Sequence, residues 1–205
     1  MISNVKVYGL EESVRRAKFA MSTDTDSCTT EITDKTVKLA NAPIGSGHDC
    51  FLKGIVVQFD LEFTIKAWTE AERYNWFDII TSQSTMHRLT KFDLDKTYIK
   101  YVDPRIIEIM KEKVNAYNQE MWEWRNSFVP QCVEMQQRFH NKMEEKFLEI
   151  VYSNPTGCKL TAGMTTNYLQ LKTIYAQRKN HRLPEWKEFC KWIETLPHSE
   201  FITAK

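Results

Sequence analysis

The stretch GIVVQFDLEF, residues 54 to 63, has the clearest strand pattern in the chain. Apolar and polar side chains alternate along it, and a period of two is typical of a β-strand that buries one face. The apolar face contains Ile55, Val57, Phe59, Leu61 and Phe63. The opposite face contains Gln58, Asp60 and Glu62. We therefore predict a strand whose apolar face packs against the core.

Other elements extend from this strand in both directions. Residue spacing predicts a strand over 4–10, helices over 11–21, 34–41, 65–80 and 165–178, and a short terminal helix around Trp186. Residues 82–90 predict an ordered polar loop, and residues 104–151 predict two helices, or one kinked helix, with Pro130 as the breaker. The predicted fold is α+β, a small and mainly antiparallel sheet packed with long helices. We expect one domain over residues 1–205, with a helical excursion at about 104–151.

The composition is that of an ordinary globular protein. A chain of 205 residues can bury a substantial core, and its net charge of +1 argues against a general nucleic-acid or membrane-surface binder. The five cysteines are scattered and include no C-x-x-C pair, which favours a reducing compartment over a disulfide framework or a zinc site. No apolar stretch approaches the ~20 residues needed to span a bilayer, and no signal peptide is evident. We expect a cytoplasmic protein without a bound metal.

The predicted helix over 165–178 carries two polar residues on an apolar stripe. At about 100° per residue, Asn167, Leu171, Ile174 and Arg178 fall on one side, with the amide and the guanidinium roughly 16 Å apart. A guanidinium at a core-facing edge requires an anion or a carbonyl-rich partner. One interpretation is that Asn167 and Arg178 both contact a ligand. The alternative is that Asn167 caps a neighbouring loop and Arg178 pairs with a glutamate.

The separation of Asn167 and Arg178 by eleven residues resembles the C-terminal signature of the flavin-dependent thymidylate synthases. A second resemblance runs from His48 to Phe59, which match the family's His and Phe without gaps. Cys50 stands where the family has Ser or Thr, and Lys53 and Gly54 replace its Glu-His pair. The order of predicted elements from residue 1 to residue 90 is also similar to that of the family.

The family's defining motif is Arg-His-Arg-x-x-Ser-x-Asn-x-x-Ser-x-Arg-Tyr. Laid on this chain without gaps, the motif covers residues 74 to 87, and only Ser84 is retained. Arg73 immediately precedes this stretch and Arg88 immediately follows it. The basic side chains that could bind a phosphate and the flavin edge are Arg73, His87, Arg88 and Lys91. Tyr74 and Trp76 offer rings for stacking. The alternative is that the aromatic residues are core and the basic ones a solvated rim. Val151 stands where the family has a phosphate-binding Arg, although Pro155 matches the Pro of that motif.

The resemblance implies a homotetrameric enzyme that binds FAD and deoxyuridine monophosphate (dUMP) at subunit junctions. In such enzymes a flavin mediates transfer of a methylene from methylenetetrahydrofolate to C5 of uracil, with NADPH as reductant. Carried over by position, the flavin contacts are His48, Cys50, Arg73, Tyr74 and Asn167. The nucleotide contacts are Ser84, His87, Arg88 and Arg178, of which Arg178 also favours the ionised base. The alternatives are a non-catalytic oligomeric nucleotide-binding or regulatory module on the same fold, and modification of a cytosine nucleotide.

Overall fold

The computed structural model describes residues 1–127 and 132–203. Its sheet has four strands: β1 (Ile2–Tyr8), β2 (Val56–Thr64), β3 (Phe77–Ser82) and β4 (Lys159–Asn167). Their spatial order is β1-β2-β4-β3, with β1 antiparallel to β2 and β3 antiparallel to β4. The prediction of an α+β fold with a small, mainly antiparallel sheet is confirmed.

The helices account for most of the remaining chain. They are α1 (Leu10–Ala17), α2 (Asp34–Ala40), α3 (Ile65–Ala71), α4 (Thr85–Arg88), α5 (Leu94–Thr97), α6 (Pro104–Arg125), α7 (Val133–Ser153), α8 (Tyr168–Arg178), α9 (Pro184–Ile193) and α10 (Glu200–Thr203). Within the described ranges, none of these helices is long and apolar enough to cross a membrane. The predicted break at Pro130 lies outside the described residues.

The chain forms two compact units. The first consists of Met1–Phe63, Ala67–Ser82 and Thr161–Lys205, and it contains most of the sheet together with α8 and α9. The second consists of Thr64–Lys66 and Gln83–Leu160, and it contains the long helices α6 and α7. The helical excursion predicted at about 104–151 corresponds to these two helices.

Three local predictions were wrong. The helix predicted over 65–80 ends at Ala71, and β3 follows from Phe77 because that segment pairs with β4, with Phe77 opposite Thr166. The helix predicted over 165–178 begins only at Tyr168, since Thr165 to Asn167 complete β4. The loop predicted over 82–90 contains the short helix α4. Long-range strand pairing therefore overrode the helical spacing of the first two segments.

The apolar face predicted for β2 is buried in the first unit. Ile55, Val57 and Leu61 are fully buried, and Phe59 and Phe63 are each only 2% exposed. The ring of Phe59 lies 4.6 Å from that of Trp192 and 6.0 Å from that of Phe189, measured between centroids, so α9 covers this face. The predicted face of the strand is confirmed.

Replacing Phe59 with alanine should lower the free energy of unfolding by about 3–5 kcal/mol, because it removes a buried ring and leaves a cavity between β2 and α9. Urea unfolding followed by circular dichroism measures the loss. Gln58→Ala is the matched control, because Gln58 is an exposed neighbour on the same strand. Equal and small losses for the two variants would contradict the packing described for this face.

The core of the second unit lies between α6, α7 and the segment before α6. Its buried members are Leu89, Leu94, Tyr98, Met110, Val114, Ile150 and Cys158. Helices α6 and α7 run antiparallel, since Lys113 of α6 pairs with Glu149 at 2.5 Å while Glu120 pairs with Lys142 at 2.7 Å. The stacked rings of Trp124 and Phe139, with centroids 4.0 Å apart, join the end of α6 to the start of α7.

Candidate functional site

Arg178, at the end of α8, is held by neighbours of the first unit. Its Nη1 lies 2.9 Å from Oε2 of Glu70, and its Nε donates to the hydroxyl of Tyr74 at 2.8 Å. The guanidinium carbon is 4.9 Å from the ring centroid of Trp186 and 5.5 Å from that of Tyr74. The side chains of Arg178 and Glu70 are 13% and 14% exposed. Arg178 therefore forms the buried glutamate pair that sequence reasoning kept as an alternative to a ligand contact.

Glu70 is the centre of this arrangement, and sequence reasoning did not identify it. Besides Arg178, its Oε2 accepts from Nε1 of Trp186 at 3.2 Å and lies 3.3 Å from Nε2 of His181. Nδ1 of His181 accepts the backbone N–H of Leu183, so Nε2 is the nitrogen that donates to Glu70. We call Glu70, Tyr74, Arg178, His181 and Trp186 the Glu70 cluster. A glutamate one turn before Tyr74 was the only sequence signal for it.

A cavity of about 500 Å³ adjoins the Glu70 cluster. Its lining residues are Glu70, Gln177, Asn180, His181, Arg182 and Leu183. The volume falls within the range of small-molecule sites. Two members of the cluster, Glu70 and His181, thus reach a space that a ligand can enter, whereas Arg178 is not part of the cavity wall.

Asn167 lies at the opposite end of α8. Its Oδ1 accepts the backbone N–H of Gln170 at 2.9 Å, which makes Asn167 the N-cap of the helix, and the residue is 9% exposed. The eleven residues of α8 separate it from Arg178 by roughly 16 Å. The hydrogen bonds described for the two side chains involve different residues, Gln170 for Asn167 and Glu70 and Tyr74 for Arg178.

His48 and Cys50 are exposed, but Asp49 between them is only 2% exposed. Lys172 of α8 reaches this carboxylate, and its Nζ lies 2.6 Å from Oδ2 of Asp49. The same Nζ donates to the carbonyl oxygens of Ala40 and Ala42 at 2.7 and 2.6 Å. Helix α8 therefore fixes the segment that presents His48 and Cys50. Sequence reasoning missed Lys172, although a lysine between Leu171 and Ile174 on a mostly apolar helix was a usable signal.

The residues carried over from the defining motif are divided between the two units. In the first unit, Arg73 is exposed and Tyr74 belongs to the Glu70 cluster. In the second, the partly buried Ser84 precedes α4, and its carbonyl oxygen accepts the backbone N–H of Arg88 at 3.0 Å. His87 and Arg88 are exposed, and His87 lines a cavity of about 520 Å³.

The buried thiols are not poised to act as nucleophiles. Burial, reinforced by Glu194, raises the pKa of Cys190 to about 11. Burial also raises the pKa of Cys158. Both thiols stay protonated at neutral pH, and a thiol is a far weaker nucleophile than a thiolate. No group of His, Cys, Asp and Glu side chains suited to a metal ion occurs in residues 1–127 and 132–203.

Comparison with known proteins yields structural matches alone. No family model matches the sequence, and no curated protein matches it significantly. The crystal structure of the flavin-dependent thymidylate synthase ThyX from Helicobacter pylori, complexed with FAD and dUMP, covers 98% of this chain and 97% of its own, with 12% identity and a TM-score of 0.65. A second Helicobacter pylori ThyX structure with FAD and dUMP covers 98% of this chain and 96% of its own, with 12% identity and a TM-score of 0.67. The chain therefore has the α+β fold of the flavin-dependent thymidylate synthases.

Proposed function

We propose that this protein binds FAD and transfers a one-carbon unit to C5 of a pyrimidine deoxynucleotide, converting dUMP to dTMP or carrying out a related C5 modification. The observation that carries the proposal is the correspondence in fold, over nearly the whole of both chains, with proteins crystallised with FAD and dUMP. The proposal includes NADPH and methylenetetrahydrofolate as co-substrates, a homotetramer and a cytoplasmic location.

The exposed groups of the first unit suit a flavin. Arg73 is exposed and has no ion-pair partner among the described residues, and Trp76, 64% exposed, offers a ring face. His48, Cys50, Arg73, Tyr74 and Asn167 would hold the cofactor, which supplies the redox chemistry of the transfer. The chain itself would bind and orient the cofactor, with cationic side chains for its phosphates and aromatic rings for its planar ring system.

The nucleotide is assigned to other side chains. Ser84, His87 and Arg88 would hold its phosphate. Arg178 would stabilise negative charge on the pyrimidine, which requires its guanidinium to exchange part of its contact with Glu70 for the ring carbonyl. Glu70 then sets how much of the positive charge on Arg178 is available to the base.

The absorption spectrum of the purified protein tests the proposal. We expect a yellow protein, or one that takes up FAD at micromolar concentration, and release of tritium from C5-labelled dUMP in the presence of reduced flavin. A substrate panel that includes the cytosine nucleotide identifies the base. A colourless protein that binds neither FAD nor FMN would exclude the proposed activity.

A non-catalytic nucleotide-binding module on the same fold is the second candidate. The observation that favours it is the neutralisation of Arg178 by Glu70 within the first unit. In the second unit, Val151 packs against the core, where a valine can donate nothing to a phosphate. Nucleotide binding without flavin binding would support this candidate, and tritium release from C5 would rule it out.

A further inference from the structure

The Glu70 carboxylate is shared by three members of its cluster. Nη1 of Arg178 lies 2.9 Å from Oε2 of Glu70. Nε1 of Trp186 lies 3.2 Å from the same oxygen, and Nε2 of His181 lies 3.3 Å from it. The Glu70 side chain is only 14% exposed, so its negative charge requires a counter-charge, which Arg178 provides. Any ligand that draws Arg178 away must leave Glu70 with a substitute.

His181 and Trp186 differ in what they offer Glu70 when Arg178 withdraws. The indole N–H of Trp186 is a neutral donor and gains no charge. The imidazole of His181 can take up a proton near physiological pH, and the protonated ring is a cation in contact with the same carboxylate oxygen. A carboxylate that has lost its other counter-charge favours this protonated form. His181 is therefore the member of the cluster that can replace Arg178.

The hydrogen bonds of His181 determine where the added proton binds. Nε2 already carries the proton that it donates to Glu70, and Nδ1 accepts the backbone N–H of Leu183 at 3.2 Å. The added proton must bind to Nδ1, and the Leu183 N–H then loses its acceptor. Both residues line the cavity of about 500 Å³, and the His181 side chain is 25% exposed. Water in the cavity can therefore supply the proton and hydrogen-bond both groups.

The elements around the imidazole carry other charged and titratable side chains. Besides Glu70, they are Tyr74 and Arg178 of the cluster, Arg182 of the loop after α8, and Glu185 in the first turn of α9. Arg182 lines the same cavity and forms no ion pair within residues 1–127 and 132–203, which makes it the competing counter-charge for Glu70. The exposed guanidinium of Arg182 would have to leave water, whereas His181 already contacts Oε2 and needs only a proton.

We propose that His181 is a positioning residue, which takes up a proton and replaces Arg178 as the counter-charge of Glu70 when Arg178 turns to a ligand. The exchange moves a proton from solvent to Nδ1 of His181, and no other covalent bond forms or breaks. The freed guanidinium keeps its full charge for the ligand. That the ligand is the pyrimidine of a nucleotide rests on the proposed function, but the exchange itself does not.

An NMR titration of the imidazole signals in the full-length protein tests the exchange without a ligand. The His181 signal is identified by its loss in His181→Gln. Arg178→Gln imitates withdrawal of the guanidinium, and the titration midpoint of His181 should be higher in this variant than in the wild type by about one unit or more. Arg178→Gln combined with Glu70→Gln is the matched control, because it removes the same arginine charge together with the carboxylate. In this control the midpoint should return towards the wild-type value.

The exchange should also appear in urea unfolding at about pH 6 and about pH 8.5, on either side of the range in which histidine titrates. In Arg178→Gln the carboxylate of Glu70 favours protonated His181 in the folded state and not in the unfolded chain. The stability that this proton contributes is therefore present at low pH and is lost as the pH rises. Arg178→Gln should lower the urea midpoint less at about pH 6 than at about pH 8.5.

An unchanged His181 midpoint in Arg178→Gln would overturn the proposal, and so would a rise of equal size in the control that also lacks Glu70. A rise that appears only after Arg182→Gln is added would make Arg182 the replacement instead. Failure of Arg178→Gln to fold at either pH would also count against the proposal, since His181 then cannot take the place of the guanidinium.

Calorimetry of dUMP binding in buffers of different ionisation enthalpy tests the link to the proposed function. Binding to the wild type should take up a proton near neutral pH, and His181→Gln should abolish this uptake. Binding of dUMP without proton uptake would show that Arg178 does not leave Glu70 for this ligand and would overturn that link. A wild type that does not bind dUMP speaks against the proposed function alone, because the NMR titration decides the exchange.

Discussion

Arg178→Ala should lower the free energy of unfolding by about 3 kcal/mol, because it leaves the largely buried carboxylate of Glu70 without its main counter-charge. The variant also removes the donor to the Tyr74 hydroxyl and the cation beside the Trp186 ring. Urea unfolding measures the loss. Arg182→Ala is the control, since Arg182 is exposed and lies four residues away. A loss no larger than that of the control would show that the pair with Glu70 contributes little to folding.

A second variant separates the structural role of Arg178 from a catalytic one. Glu70→Gln combined with Arg178→Gln removes both charges, so it should recover most of the stability lost by Arg178→Ala. If Arg178 stabilises charge on the pyrimidine, the stable double variant should still release tritium from C5-labelled dUMP roughly 100-fold more slowly than the wild type, the scale of losing one transition-state donor. Release at the wild-type rate would make Arg178 a purely structural residue.

Lys172→Met should lower the free energy of unfolding by about 3–5 kcal/mol, because it leaves the buried carboxylate of Asp49 without its counter-charge. The side chains of Lys172 and Asp49 are 9% and 2% exposed, and Nζ also satisfies the carbonyl oxygens of Ala40 and Ala42. Urea unfolding measures the effect, with Lys191→Met on α9 as the exposed control.

Adding Asp49→Asn to Lys172→Met should return part of the lost stability, since the stranded charge disappears while the two carbonyl oxygens remain without their donor. If the single variant loses less than about 1 kcal/mol, water reaches Asp49 readily and the ion pair does not hold the segment. Because this segment presents His48 and Cys50, FAD uptake by the single variant should fall along with its stability under the proposed function.

Strong local patterns in the sequence were sufficient for much of the fold. The alternation in residues 54–63 predicted which face of β2 is buried, because a strand with one buried face has a period of two. The long helical spacing over 104–151 likewise predicted two helices or one kinked helix, and the structure has the two helices α6 and α7 there.

Short segments with mixed signals could not be assigned in this way. The aromatic spacing after residue 65 suited a helix, yet Phe77–Ser82 became an edge strand because β4, whose paired residues lie 80 to 89 positions later, pairs with it. The same pairing keeps Thr165 and Thr166 extended and makes Asn167 a cap. Local propensity is weaker than the hydrogen bonds that a partner strand offers.

The sequence alone determined the fold class, the buried face of β2 and the spacing of Asn167 and Arg178. Only the tertiary structure decided which carboxylates pair with Arg178 and Lys172. Arg178 pairs with Glu70, which lies 108 positions earlier in the sequence, and Lys172 pairs with Asp49, which lies 123 positions earlier. Burial makes such pairing necessary, since a buried charge requires a partner, but the identity of the partner depends on which distant segments the sheet and α8 bring together.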